Sequence, residues 1–337
     1  MAVPLTHGLD LKRPLLALLA QSEPRSGTWL ARALNTTELE IVTGIEQLRA
    51  LGIDIAVSPQ GFRLEVGTRL ELLDADAIRA ALGKESAGRL RRLEVVFEVD
   101  STNSRLLAQP SPPAGFADAA LAELQYAGRG RQQRRWVSPF GASLALSVGW
   151  TLLRATHDVS SLSLAVGVAV SRALSGLGAR GILLKWPNDV WFEDRKIGGV
   201  LVETKSCGGT AHVVVGVGLN LYLSEASKQR IASDGLAALD ETCPSPIGRN
   251  ALAAALLDQL LSMLPLFERH GFGAFRDEWR SLDALRGRPA RVLLAQGAVE
   301  GIACGVDEDG GLLLEKGGHL DKFMSGEASL RLLAGEA

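Results

Sequence analysis

The chain has 337 residues, 47% of them apolar, a length that suggests two or three domains with ample material for packed cores. Its net charge of −2 gives no overall basic field to draw it to nucleic acid or to a membrane surface. Cys207, Cys243 and Cys304 are odd in number and far apart, the five histidines are scattered, no run of 18 apolar residues occurs, and no secretory pattern opens the chain. A disulfide framework, a zinc site and a membrane span are therefore not indicated, and a soluble cytoplasmic protein is expected.

Residues 1–66 read as a small separate domain. Helices are predicted over 11–20, 28–34 and from Thr37, where Thr37 and Glu40 form a capping box ahead of an apolar stripe of Ile41, Ile45, Leu48 and Leu51 that Gly52 ends. Ile53, Ile55 and Val57 then alternate, Ser58-Pro59-Gln60-Gly61 turns, and Phe62, Leu64 and Val66 alternate back. Three short helices and a hairpin make a winged helix-turn-helix pattern. Residues 70–83 read as a linking helix, and strands and helices alternate from Leu93 to about Trp279. Residues 160–174 are apolar on nearly every face, as in a buried helix. Residues 250–270 carry an apolar stripe, with Pro265 inside and Gly271 as C-cap. Short strands over 290–294, 298–306, 312–315 and 328–332 close the chain as a small β-barrel. The fold class is α+β, divided into residues 1–66, 67–284 and 285–337.

Gly128-Arg-Gly-Arg-Gln-Gln-Arg-Arg-Trp136 packs four arginines and two glycines into nine residues and ends on an aromatic ring. Glycine lets backbone N–H groups approach a ligand, arginine offers a charged fork to phosphate or carboxylate oxygens, and tryptophan offers a face to a base. The dinucleotide fingerprint does not fit, because its third glycine is replaced by Gln133 and residues 142–148 alternate like a strand; the Walker A loop is also absent. Lys185-Trp-Pro-Asn-Asp189, Lys196-Ile-Gly-Gly199 and Gly216-Val-Gly-Leu-Asn220 would complete the site. Arg131 and Lys196 are the cations expected on the reacting oxygens, Asp189 could help to hold Mg²⁺, and Asn188 and Asn220 could read polar edges. The plainer alternatives are a solvated arginine run, a turn lysine, a turn-forming aspartate and, for Trp186, core packing. Asp100-Ser101-Thr102-Asn103 could cap a helix starting near Ser104 or, with Gln125, hold a small uncharged polar group.

In this order and spacing the motifs Asp-Ser-Thr-Asn (100–103), Gln125, Ala-Gly-Arg-Gly-Arg (127–131), Trp-Val-Ser-Pro-Phe-Gly (136–141), Lys-Trp-Pro-Asn-Asp (185–189), Arg-Lys-Ile-Gly-Gly (195–199) and Gly-Val-Gly-Leu-Asn (216–220) resemble those of bacterial biotin protein ligases. The N-terminal domain is similar to that of the bifunctional kind that represses the biotin operon. The resemblance spans about residues 10 to 332. It implies a catalytic domain related to class II synthetases and lipoate ligases, with a mixed sheet and an SH3-like barrel. It implies that biotin and MgATP give biotinyl-5′-AMP and pyrophosphate, and that a lysine of a biotin carboxyl carrier protein, as in acetyl-CoA carboxylase, then takes the biotin. By the same resemblance Ser101, Thr102, Asn103 and Gln125 bind the biotin head. Arg129, Gly130 and Arg131 close over biotin and adenylate, and Lys196 meets the biotin carboxylate and α-phosphate. Trp136 stacks on adenine, with Asn188, Asp189 and Asn220 nearby. Operator DNA and a homodimer of the adenylate-loaded protein are the further partners implied, with no membrane involved.

Two departures stand out. Where the family's loop continues with glycine this chain has Gln133, which restricts positive φ. The expected DNA-reading helix presents Thr37, Glu38, Leu39, Val42 and Thr43, and residues 1–66 hold six Lys and Arg against seven Asp and Glu, so the usual basic footprint is missing. A ligand-sensing transcription factor without catalysis and a lipoate-type acyl-protein ligase are the competing readings.

Overall fold

The computed structural model describes residues 11–20, 23–64, 70–138, 140–153, 159–207, 209–223, 231, 235–294, 297–325 and 329–332. These fall into two compact units: one running to Leu72 and including residues 140–142, the other running from Leu73 to Ser138 and from Ser143 onward.

The first unit contains α1 (Lys12–Leu19), α2 (Gly27–Ala33), α3 (Glu38–Ala50), β1 (Ile55–Ser58) and β2 (Gly61–Leu64). Its helix starts follow from short polar side chains. The Ser26 hydroxyl accepts the Trp29 N–H at 3.1 Å, opening α2. At α3 the Thr37 hydroxyl accepts the Glu40 N–H at 3.2 Å while the Glu40 carboxylate accepts the Thr37 N–H at 3.0 Å, the reciprocal box expected from the sequence. Ile41, Ile45 and Leu48 are buried on α3, and Leu15, Leu16 and Leu19 on α1. β1 and β2 pair antiparallel with Ser58 opposite Gly61, which puts the turn at Pro59 and Gln60. Val66 and the expected boundary after it lie outside the described residues.

The second unit is built on a seven-stranded mixed sheet. Its elements are α4 (Ala75–Ala80), α5 (Lys84–Arg89), β3 (Leu90–Val99), α6 (Thr102–Leu107), β4 (Ala117–Gln125), β5 (Ser143–Leu152), α7 (Leu162–Gly176), β6 (Leu183–Lys185), β7 (Asp189–Phe192), β8 (Arg195–Cys207), β9 (Thr210–Asn220), α8 (Arg249–His270) and α9 (Arg276–Ser281). The strand order is β3-β4-β5-β9-β8-β7-β6. β3 and β4 run parallel through the α6 crossover, and the other neighbours pair antiparallel. α7 is buried at every position from Leu162 to Ser171, which accounts for its apolar composition on all faces. α8 lies beside it, burying Leu252, Leu256, Leu260, Met263, Leu264 and Phe267 and ending on Gly271 at φ 63°. Full burial of each such side chain is worth about 1.5–3 kcal/mol. Val159–Gly176, which includes α7, and α8 have the length and composition of a membrane span, but most of their residues are packed inside the protein. Val213, Val215, Val217 and Leu219 of β9 join this core. Positions 216, 218 and 220 therefore face the other side of the sheet.

Three local expectations are corrected. The helix expected over 70–83 is only α4, because the Asp74 carboxylate accepts the Asp76 and Ala77 N–H groups, each at 2.9 Å, and starts the helix at Ala75; α5 was not foreseen. The helix expected near Ser104 begins at Thr102, and Ser101 gives it no side-chain cap. The chain ends in a five-stranded antiparallel sheet: β10 (Pro289–Leu294), β11 (Gly297–Val306), β12 (Leu312–Lys316), β13 (His319–Phe323) and β14 (Ser329–Leu332), in the order β13-β12-β11-β10-β14. β13 escaped the sequence reading because four of its five residues are exposed, so it shows no apolar alternation. A register shift in β11 between Ala303 and Val306 marks a bulge, which bends the strand. Ala328 lies outside the described residues.

Candidate active site

The open face of the main sheet carries a cavity of about 440 Å³ whose lining belongs entirely to the second unit. Its floor is the Gly-Val-Gly-Leu-Asn run of β9. A Cβ on Gly216 would lie 2.4 Å from Asn103 Oδ1, and one on Gly218 would lie 2.7 Å from the Trp136 ring. Each glycine thus leaves room for one incoming side chain, and the period of two puts both on the cavity side together with Asn220. Asn220 is buried and its amide donates to the Ala237 carbonyl at 3.2 Å.

One end of the cavity is polar and uncharged. Gln125 Oε1 accepts the Thr102 N–H at 2.8 Å and lies 3.0 Å from the Thr102 hydroxyl. The Ser147 hydroxyl lies 2.7 Å from Thr102 Oγ1 and 2.6 Å from Asn103 Oδ1. Asn103 Nδ2 donates to Glu203 at 2.8 Å, and Arg129 donates to the same carboxylate at 3.1 Å. Ser101, Thr102 and Asn103 are all buried. Thr102 and Asn103 are thus spent on this network, while Ser101 sits at the N-cap of α6 without a side-chain cap bond.

The other end is cationic. The 128–136 loop folds back on itself, Gly130 N–H donating to the Arg134 carbonyl at 2.7 Å and Trp136 N–H to the Gly128 carbonyl at 2.8 Å. Gln132 and Gln133 take φ of 53° and 58°. Gln133, expected to resist positive φ, therefore adopts the left-handed conformation anyway, at a cost of roughly 1–2 kcal/mol. Burial is the main influence on Arg131 and pulls its pKa down, while Asp189 raises it; the guanidinium stays charged throughout. Lys196 Nζ pairs with Asp189 Oδ1 at 2.5 Å and sits 5.7 Å from the Trp136 ring centre. Asn188 donates its amide to the Val200 carbonyl at 2.6 Å.

Lys185 was quoted in the sequence only as the start of a motif. It is buried, lies 4.5 Å from the centre of the Trp191 ring, and has its pKa lowered to about 8 by burial, against the raising effect of Asp189. Arg331 on β14 also lines the cavity, beside Leu330, and its charge lowers the Lys185 pKa further. Nothing local singled out Arg331, one charge in an alternating strand. Ser147 and Glu203 were missed too; Ser147 is a polar residue between apolar neighbours in β5, whereas Glu203 shares β8 with several other polar residues and nothing local singled it out. Trp186 is buried and donates its ring N–H to the Gly310 carbonyl at 3.1 Å, which is the packing alternative.

These motifs also match known proteins. Residues 96–220 match the biotin/lipoate A/B protein ligase family, and residues 287–331 match the biotin protein ligase C-terminal domain. The chain is 37% identical over 319 residues to the bifunctional ligase/repressor BirA of Escherichia coli strain K12, covering 94% of this chain and 96% of that one. It belongs to the biotin protein ligase family. It is also 33% identical over 261 residues to the biotin--[acetyl-CoA-carboxylase] ligase of Mycobacterium tuberculosis, covering 76% of this chain and 94% of that one. Among solved structures, the biotin protein ligase from Aquifex aeolicus in complex with biotin and ATP superposes with a TM-score of 0.62 at 29% identity, over 72% of this chain and all (100%) of that one.

The expected DNA-reading residues lie in the first unit. Thr37 is engaged in the capping box, and Glu38 accepts from the Thr28 hydroxyl at 2.7 Å. Leu39 is 76% and Val42 42% exposed, and Thr43 donates to the Leu39 carbonyl. Both glutamates at the start of α3 are therefore held by neighbouring threonines rather than projecting free.

Proposed function

We propose that this biotin protein ligase joins biotin to ATP as biotinyl-5′-AMP and passes the biotin to a lysine of a biotin carboxyl carrier protein. The observation that carries the reading is the joining, in one cavity, of an uncharged hydrogen-bonding end to a cationic end. The ureido head of biotin is neutral and suits Ser101, Thr102, Asn103 and Gln125. Its carboxylate must approach an anionic triphosphate, and Arg131, Lys185, Lys196 and Arg331 offset that repulsion. The carboxylate oxygen attacks the α-phosphorus and pyrophosphate leaves. Because little covalent chemistry falls to the protein, positioning and charge supply the rate.

Trp136, packed against Gly218, serves as the adenine platform, with Asn188 and Asn220 beside it. Mg²⁺ enters with ATP, since among the described residues no three His, Cys, Asp or Glu cluster as a metal cage. A nucleotide-borne Mg²⁺ needs only one or two protein carboxylates, and Asp189, now paired with Lys196, would supply one to an ion that neutralises phosphate charge beside it. The Arg129-Gly130-Arg131 loop covers the mixed anhydride and keeps water from it.

Three domains divided near residues 66 and 284 suit this reading, with the first unit acting as a winged-helix operator reader in a cytoplasmic protein that dimerises when loaded. Support comes from the ligase/repressor relative, whose match covers 94% of this chain, and from the three helices and hairpin of the first unit. The C-terminal match favours biotin over lipoate. The test is incubation with ATP, Mg²⁺ and either biotin or lipoate, followed by mass spectrometry of the acyl-adenylate. Biotinyl-adenylate alone is expected; lipoyl-adenylate, or neither product, overturns the proposal.

A further inference from the structure

We infer that Glu203, which lies behind the cavity rather than in its lining, is a positioning residue that sets the direction of a buried hydrogen-bond chain and so keeps a socket open for a ligand N–H between Thr102 and Gln125. This rests on the biotin reading above and specifies how the neutral head is recognised.

Glu203 pairs with Arg129, and its carboxylate can only accept. Its Oε2 takes the Asn103 amide nitrogen at 2.8 Å, and the Leu201 carbonyl takes the same nitrogen at 3.3 Å. Two acceptors on one side orient the Asn103 amide, so its oxygen must face Ser147. Three oxygen–oxygen contacts follow: Asn103 to Ser147 at 2.6 Å, Ser147 to Thr102 at 2.7 Å, and Thr102 to Gln125 at 3.0 Å. Only the two hydroxyls carry protons to fill them. Ser147 must donate to Asn103, whose oxygen has no hydrogen. The Ser147 oxygen then accepts, and Thr102 donates to it. The contact left without a proton is the longest one, where two opposed lone pairs cost least, and Gln125 Oε1 already has the Thr102 N–H at 2.8 Å.

Thr102 Oγ1 and Gln125 Oε1 thus present two converging acceptors at the cavity wall, and both residues line it. A ureido N–H supplies the missing proton. The position of Asn103 in turn depends on Gly216, whose missing Cβ leaves its amide room. Arg129 donates to the same Oε2, so a glutamine at 203 would keep its oxygen there for both donors and leave the amide as it is; with no acceptor at 203 only the Leu201 carbonyl, at 3.3 Å, would hold the nitrogen, and the amide would be free to turn over. Its nitrogen would donate to Ser147, Ser147 to Thr102 and Thr102 to Gln125. All three contacts would then be filled from within the protein, and the socket would be closed to a ligand N–H.

The test compares wild type, Glu203→Ala, Glu203→Gln and Ser147→Ala, each checked for folding by thermal melting. The probes are biotin, the cyclic carbamate analogue in which oxygen replaces one ureido N–H, and ATP alone, with affinities measured by calorimetry. Wild type should prefer biotin to the carbamate by roughly 100-fold or more, because a site built around an N–H leaves its acceptors unpaired without one. Glu203→Ala should weaken biotin by about 10-fold or more and shrink that preference to about 10-fold or less, with ATP affinity unchanged, whereas Glu203→Gln, which keeps an oxygen for both donors, should retain the preference. Ser147→Ala frees the Thr102 proton for Gln125 and should move the preference the same way, so the inference stays testable if one variant does not fold. A merely structural role would weaken both probes alike and leave their ratio intact. Wild type that binds no biotin refutes the proposed function. Wild type that binds biotin, with the ratio unchanged in folded Glu203→Ala and Ser147→Ala or lost in folded Glu203→Gln, refutes the role of Glu203.

Discussion

Lys185 shows most directly how burial shapes this site. Its pKa of about 8 lies below the ordinary 10.5, so the unfolded chain binds more protons between those values and this lysine's contribution to stability rises with pH across that window. At neutral pH the buried charge costs up to about 3 kcal/mol. An anionic ligand offsets that cost, which makes the residue costly alone and useful when loaded. Replacing Lys185 by Met should raise the stability of the free protein at pH 7 by about 1–2 kcal/mol in urea melts while lowering adenylate formation at least tenfold. In wild type, kcat/KM for adenylate formation should fall along a limb with an apparent pKa near 8, because this quantity reports the free enzyme. A flat profile from pH 7 to 9.5, or a Met variant that is both active and no more stable, would remove Lys185 from the site. The residue was legible as part of a motif, but its burial was not, since the Trp191 ring and the Arg331 charge come from other strands.

β9 does two jobs, and its sequence shows why. Val213, Val215, Val217 and Leu219 pack into the core, while the alternate positions give up their side chains to admit Asn103 and Trp136. Gly216→Ala and Gly218→Ala should therefore have opposite signatures. The first crowds Asn103 and should weaken biotin more than ATP; the second displaces the Trp136 platform, worth roughly 1–3 kcal/mol, and should weaken ATP more than biotin. Calorimetry on each ligand alone decides, and equal losses in both variants would mean that the strand merely supports the fold. α3, α7 and α8 were readable because caps and apolar stripes are local and strong. α5 and β13 were not, because each is short and mostly solvated, so neither carries a periodic apolar pattern. Thr102 and Asn103 look like capping residues locally; burial against Ser147 overrides that preference.

At the scale of the whole molecule, every residue lining the cavity belongs to the second unit. A chain beginning at Leu73 should fold and still form biotinyl-adenylate, with weaker ligand affinity, because residues 140–142, just after Trp136 and Ser138, group with the part removed. The same deletion should abolish binding to biotin-operon DNA in gel shifts. Loss of adenylate formation by a folded truncated protein, or retention of operator binding, would contradict this division of labour. The family, the α+β class, the order of the motifs and most cationic residues were all written in the sequence, because those depend on residue type and spacing along the chain. Which groups meet was decided by the tertiary structure. The sheet order brings β5, β8 and β9 side by side, so that Ser147, Glu203 and Gly216 meet α6, and the C-terminal sheet delivers Arg331 to a cavity formed by strands more than a hundred residues earlier. Burial, proton direction and charge coupling arise only from such long-range contacts, which no local pattern encodes.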